Sequence, residues 1–196
     1  MIAGIVLAAG ASRRLGRPKQ LLPLGGRPLL DWVLEAARGA TLVQLVLVLG
    51  HEAEMIQASV NHVDFDVVLN DRYAEGMSRS LRLGLEVLRP EVMAAIVLTG
   101  DQPFINATHI MALRQSWENT GEPIIATDFG DHLGSPMLLA RTMWPLVAEI
   151  RGDQGARALM KGHRDSVVTV AAGDPRAALD VDTEEGYATA RELAGD

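Results

Sequence analysis

An α/β fold, with helices on both faces of a mainly parallel sheet, is predicted by three features of this sequence. Short apolar runs alternate with helical patterns, the connections are short, and the opening run IAGIVLAA is apolar throughout, as a buried strand requires. Turn residues lying between two strand-like runs, at 128–135, add a small hairpin insertion to this three-layer sandwich.

The elements follow in order. Residues 2–9 form the first strand, which stops at Gly10. A helix over 28–37 leads to a strand at 45–49, and a helix over 52–59 leads to another at 66–69. A helix over 78–88 carries Leu81, Leu85 and Leu88 on one face and precedes a strand at 95–99. Later strands are read at 124–127, 136–140, 166–171 and 178–181. Asp182-Thr183-Glu184-Glu185 has capping-box spacing and opens a last helix. Met77, Met93, Met111 and Met137 read as core filler.

With 196 residues, 48% of them hydrophobic, the chain suits one good core, and no linker or repeat divides it, so residues 1–196 are read as a single domain. A net charge of −7 argues against general nucleic-acid or anionic-membrane binding. The absence of cysteine excludes disulfides, thiolate metal sites and a cysteine nucleophile, and fits a cytoplasmic protein. The apolar N-terminus lacks the basic residues that precede the apolar run of a signal peptide, and no run reaches the ~18 residues of a membrane span. The Asn106-Ala107-Thr108 sequon reads as accidental.

In parallel sheets, ligands gather at the carboxyl ends of the strands, where this chain places its loops 10–19, 70–80 and 100–103. The first loop is the most informative. Residues 1–30 contain five basic side chains (Arg13, Arg14, Arg17, Lys19, Arg27) and no acid, although the chain has 18 basic against 25 acidic residues. Small residues from Ala8 to Ser12 permit close approach of a ligand to the backbone, and Lys19 follows a stiff Arg-Pro. Backbone donors with fixed cations are what a polyphosphate needs. The plainer alternative is an exposed basic turn. No Gly-Lys-Ser/Thr closes the loop as in a Walker A motif, and Gly10 and Gly16 do not fit G-x-G-x-x-G.

Two acidic segments follow. Asp101, in Thr99-Gly100-Asp101-Gln102-Pro103, stands just past a strand, where a carboxylate suits Mg²⁺ or simply makes a turn. In Leu179-Asp180-Val181-Asp182-Thr183, alternate positions would bring Asp180 and Asp182 to one face, or Asp182 would cap the helix. Around Asn70 to Ser80, Gly76 supplies backbone freedom and Ser78 or Ser80 stands at a helix start. Arg79 adds a phosphate contact or pairs with a surface acid. The five histidines form no metal spacing, since His51-Glu52-Ala53-Glu54-Met55 lacks the second histidine of H-E-x-x-H.

The run LAAGASRRLGRPKQLLPLGG resembles the signature of the MobA-like nucleotidyltransferases, which activate molybdopterin and sugar phosphates, and is most similar to the branch with CTP:molybdopterin cytidylyltransferases. The resemblance implies a Rossmann-like sandwich of the nucleotide-diphospho-sugar transferase type. It implies that Leu7, Ala8, Ala9, Gly10, Ser12, Arg13, Arg14 and Lys19 wrap a nucleoside triphosphate, with Lys19 and Arg14 on its phosphates. Asn70, Gly76 and Ser80 match a segment that holds the nucleotide. Asp101 matches a metal ligand, and Asp182, preferred over Asp180, the second. Gly134-Ser135-Pro136 stands where the family usually has Gly-His-Pro, and residues 152–157 match a substrate-side turn.

The implied reaction is Mg²⁺-dependent transfer of CMP from CTP to molybdopterin or molybdenum cofactor, with release of pyrophosphate and a molybdoenzyme or its maturation factor receiving the product. The GTP-using branch tends to have Gly-Gly where this chain has Ala9-Gly10, so the Ala9 methyl favours cytosine. The alternatives are GTP, another phosphorylated acceptor such as a sugar or alcohol phosphate, and a non-catalytic accessory protein that binds the cofactor. A NAD-binding domain ranks below these because the fingerprint glycines are absent.

Overall fold

The computed structural model describes all residues, 1–196. Strand β1 (Ile2–Ala8) is buried along its whole length. After the loop come a two-residue ribbon, β2 (Pro23–Leu24) and β3 (Arg27–Pro28), and helix α1 (Leu29–Gly39). Then follow β4 (Leu45–Leu49), α2 (Ala53–Ser59), β5 (Asp66–Leu69), α3 (Met77–Glu86) and β6 (Ala94–Thr99). Helix α4 (Ala107–Thr120), β7 (Ile124–Asp128), β8 (Leu133–Ala140), the short α5 (Trp144–Val147), β9 (Val167–Ala171) and α6 (Glu184–Ala194) complete the order.

Seven strands form one sheet in the order β5-β4-β1-β6-β8-β7-β9. The β1–β4, β1–β6, β4–β5 and β7–β9 pairs are parallel, and β8 alone runs antiparallel to both its neighbours. The expected hairpin is therefore the β7–β8 pair, closed by Phe129 N–H donating to the His132 carbonyl (3.0 Å). Because strand side chains alternate, each strand feeds two cores. Val6, Leu47 and Ile96 pack with α1, α2 and α4 on one face, and Ile5, Val46 and Val97 pack with α3 and α5 on the other. A third cluster, with Leu15, Leu22, Phe104, Val181 and Tyr187, fastens α6 to the basic loop.

Three expectations fail. Residues 178–181 are not a strand: Pro175–Ala178 is a 3₁₀ turn, and the segment reaches the 100–103 loop through one backbone bond, Val181 N–H to the Asp101 carbonyl at 3.0 Å. Helix α4 is the longest in the chain and was not anticipated, because only His109, Ile110 and Leu113 on it are buried, too few for a clear apolar stripe. The Asn106 of the sequon is its N-cap, accepting from His109 N–H at 2.9 Å. Of the four methionines read as core, only Met137 is buried; Met77, Met93 and Met111 are 39–50% exposed.

Candidate functional site

All three expected loops meet at the carboxyl edge of the sheet. Gln20, 2% exposed, organises the first of them. Its amide donates to the Ala8 carbonyl (2.8 Å) and the Gly10 carbonyl (3.1 Å), and His51 N–H donates to the Ala9 carbonyl (3.2 Å). With these three carbonyls held away, the N–H groups of residues 10–14 make no hydrogen bond within the chain. Ser12 adopts a positive φ of 49°. Its carbonyl accepts from Leu15 and Gly16 N–H, and its hydroxyl accepts from Lys19 N–H at 3.1 Å. Free backbone donors on a bent loop form the kind of concavity that binds anions.

The loop borders a cavity of about 370 Å³. Of the residues named from the sequence, Leu7, Ala9, Gly10, Ser12, Arg13, Arg14, Lys19, Gly76, Ser80 and Asp182 line it. Ala8, Asn70 and Asp101 do not. Ala8 is buried behind the loop, and Asn70 is 1% exposed. The Asn70 amide donates to Ser80 Oγ (2.9 Å) and its carbonyl oxygen accepts from Arg72 N–H and Arg79 Nε. Asn70 is thus a brace beneath the cavity, and Arg79 holds that brace while pairing with Asp71 and Glu75. Of the other lining residues, Ala11 belongs to the small-residue run and Asp153 to the substrate-side turn named above, while Tyr73 and Ala74 carry no reading of their own. Met77, read as core filler, lines the cavity as well.

Gly76 closes the wall. Its φ is 103°, and a Cβ there would stand 2.2 Å from the Gly152 carbonyl carbon. Ser78 N–H donates to the Gly152 carbonyl at 3.0 Å, so the 76 and 152 loops are fastened together and bring Asp153 to the cavity. Gly50 is equally constrained, since an added Cβ would meet Tyr73 Cβ at 2.7 Å and Ala9 Cβ at 2.9 Å. A glycine there lets Tyr73 pack close to Ala9. The ring of His51 meets that of Tyr73 edge to face at 5.4 Å.

At one side of the cavity the charges converge. Lys19 Nζ donates to Asp101 Oδ2 at 2.5 Å and to Asp182 Oδ1 at 2.6 Å, and Arg14 donates to Asp182 Oδ2 at 2.7 Å. Arg17 Nη2 donates to both carboxylate oxygens of Glu184 (2.9 and 3.0 Å) at the start of α6. The side chains of Lys19 and Asp101 are only 15% and 17% exposed. Burial works against the charge of Lys19, but Asp101 and then Asp182 outweigh it and raise its pKa above the ordinary lysine value. Burial also pushes Asp182 up, yet the bonds and charges of Lys19 and Arg14 prevail and hold its carboxyl below the usual range.

Asp180 is different: it makes no bond to Lys19. Desolvation, followed by the charges of Asp101 and Asp182, lifts its pKa to about 6.

The cluster fits a divalent cation. Two carboxylates already grip one cationic group, and Asp101 Oδ1 is buried with no hydrogen-bond partner. No group of three or more His, Cys, Asp or Glu converges anywhere in the chain. Two carboxylates, with water and phosphate oxygens completing the shell, match the habit of Mg²⁺.

On the far side of the hairpin, Thr127 Oγ1 donates to the Pro136 carbonyl (2.6 Å) and accepts from His109 Nε2 (2.8 Å). This buried chain holds the Gly134-Ser135-Pro136 segment from behind. Burial lowers the pKa of His109.

Residues 4–167 match the family model described as the MobA-like NTP transferase domain. The chain is 31% identical over 191 residues to the nicotine blue oxidoreductase of Paenarthrobacter nicotinovorans, covering 94% of this chain and 93% of that protein. It superposes with a TM-score of 0.89 and 34% identity on the homologue of Mycobacterium tuberculosis Rv0371c from Mycobacterium sp. strain JC1, covering 99% and 96% of the two chains. Rv0371c of M. tuberculosis H37Rv in complex with manganese is similar at 31% identity and TM-score 0.83, over 97% and 98%. No helix is long and apolar enough to cross a membrane.

Proposed function

The chain belongs to the MobA-like NTP transferase family, and from that premise we propose that it is a divalent-metal-dependent cytidylyltransferase, moving CMP from CTP to the phosphate of a molybdopterin-type acceptor. The observation that carries the proposal is the meeting of Lys19, Asp101 and Asp182 beside a cavity walled by free backbone N–H groups. In the reaction, a phosphate oxygen of the acceptor forms a bond to the α-phosphorus. The bond from that phosphorus to its bridging oxygen breaks, and pyrophosphate leaves with the electron pair. The attacking phosphate is ionised near neutrality, so no side-chain base is required.

The work left to the protein is positioning and charge neutralisation. The N–H groups of residues 10–14 and the side chains of Arg13, Arg14 and Lys19 bind the triphosphate, while Asn70 and Gly76 hold the wall that includes Ser80. Asp101 and Asp182 would hold the Mg²⁺, which would supply Lewis-acid charge neutralisation there. Lys19, which bonds both carboxylates, is a cation at the edge of this cavity that would face the phosphates. The choice of the smaller pyrimidine rests on the Ala9-Gly10 pair, which stands where the GTP-using branch tends to have Gly-Gly.

The test is pyrophosphate release with each of the four nucleoside triphosphates and Mg²⁺ or Mn²⁺, with and without molybdopterin. Release with CTP and molybdopterin together is expected. Release with GTP, or only with another phosphorylated acceptor, moves the substrate assignment, and binding without release makes the protein an accessory carrier. The similarity to a protein named nicotine blue oxidoreductase favours redox chemistry as a second reading. Consumption of a reduced nicotinamide cofactor without pyrophosphate release establishes that reading instead.

A further inference from the structure

A second groove, of about 450 Å³, lies on the α3/α5 side of the sheet beside edge strand β9. It shares no lining residue with the cavity described above. Half-buried Leu133, Met160 and Val167 form its apolar floor, and exposed Arg157, Lys161 and Arg164 surround it. The 3₁₀ segment Ala156–Gly162 presents most of these groups, with Ala156 and Leu159 buried beneath them in the core.

Three of the five basic side chains without a partner, the others being Arg13 and Arg191, gather at this groove. Most of the 18 basic side chains make an ion pair or donate to a backbone carbonyl. Arg157, Lys161 and Arg164 do neither, although Asp165 follows directly in sequence and acids outnumber bases 25 to 18. Three unpaired cations at one groove repel one another, so the arrangement favours an anion from outside. A guanidinium offers a planar fork suited to phosphate or carboxylate. The volume is that of a small-molecule site, and the apolar floor suits a ring rather than a bare ion.

We propose that this groove is a second ligand site, taking a small molecule with an anionic group on an apolar ring. The same polypeptide segment runs on from Gly152 and Asp153 at the wall of the first cavity, so the two sites sit on one continuous stretch of chain.

The experiment uses the full chain and the dye 8-anilinonaphthalene-1-sulfonate, an aromatic body with one anionic group. Saturable one-to-one binding is expected for the wild type and for Lys19→Ala, which disables the first cavity. The double charge reversal Lys161→Glu/Arg164→Glu should weaken it by ~10-fold or more, the scale of lost charge-assisted hydrogen bonds. The thermal midpoint should stay unchanged, since both side chains are exposed. N-phenyl-1-naphthylamine, the uncharged analogue, should bind weakly, and salt should weaken the anionic dye. No saturable binding, binding indifferent to the charge reversal, or equal binding of the uncharged dye would each overturn the proposal. Loss of dye in Lys19→Ala alone would place it in the first cavity and overturn the proposal too.

Discussion

Lys19 Nζ lies 2.5 Å from Asp101 Oδ2, although 82 residues separate them in sequence, and the same ammonium bonds Asp182 from 163 residues away. One cation thus holds two carboxylates that would otherwise repel each other in a partly buried place.

On the proposed reading, Lys19 and a divalent ion would compete for these oxygens. Replacing Lys19 by Met should therefore destabilise the metal-free protein by about 3 kcal/mol, the scale for breaking a buried pair. The same variant should bind Mn²⁺ without nucleotide ~10-fold more tightly, because the resident charge is gone. Chemical denaturation and calorimetric titration read the two effects. Equal or weaker Mn²⁺ binding would show that the carboxylates are not the metal's ligands.

On the proposed reading, turnover would depend on the same groups. Lys19→Ala and Asp101→Ala should each cut pyrophosphate release at least ~100-fold, the scale for losing one preorganised charged group. A folded Asp101 variant releasing pyrophosphate at near-normal rates would remove Asp101 from the mechanism.

Gly76→Ala should separate the 76 and 152 loops. The new Cβ would be driven into the Gly152 backbone, from a φ of 103° that L-residues avoid. A loss of about 1–3 kcal/mol in stability is expected, with a raised KM for nucleotide. An unchanged KM in the folded variant would mean that this wall does not touch substrate.

Gln20→Ala should free the Ala8 and Gly10 carbonyls, one of them in the buried interior, at a cost of about 1–3 kcal/mol. Faster amide exchange across residues 9–16 would accompany it. Exchange equal to that of the wild type would show that Gln20 does not organise the loop.

Two groups oppose each other in mild acid. Asp180 has a folded pKa of about 6, above its unfolded value, so its contribution to stability grows as pH falls from about 6 toward 4. His109 has a folded pKa below its unfolded value of 6.5, so its contribution is present above pH 6.5 and is lost as pH falls below it. Denaturation profiles between pH 4 and 8 separate them: Asp180→Asn should stabilise the protein at pH 8 and steepen its loss of stability in acid, whereas His109→Gln should flatten that loss. If Asp180→Asn leaves the profile unchanged, the carboxyl is not perturbed by its neighbours.

Much of the fold was legible because it rests on local pattern. The strands 45–49 and 66–69 coincide with β4 and β5, and the helices beginning near residues 28, 52 and 78 lie within two residues of α1, α2 and α3 at both ends. Helix α4 was hidden because its buried side is narrow, and Asn106 carried the missed signal as an N-cap. The segment 178–181 looks like a strand by composition, but Val181 N–H bonds the Asp101 carbonyl in a loop rather than a strand of the sheet.

The amino-acid order by itself determined that an apolar strand ends in a basic, small-residue loop and that carboxylates follow two later turns. Those are properties of neighbours along the chain. Only the tertiary structure decided that Asp182 rather than Asp180 bonds Lys19, that Asn70 supports the cavity from beneath, and that Tyr73, Met77 and Asp153 face into it. The reason is that sequence spacing sets which side of an element a residue occupies. Which groups then share a few ångströms depends on sheet order and on how the closing segment before α6 lies against the 100–103 loop.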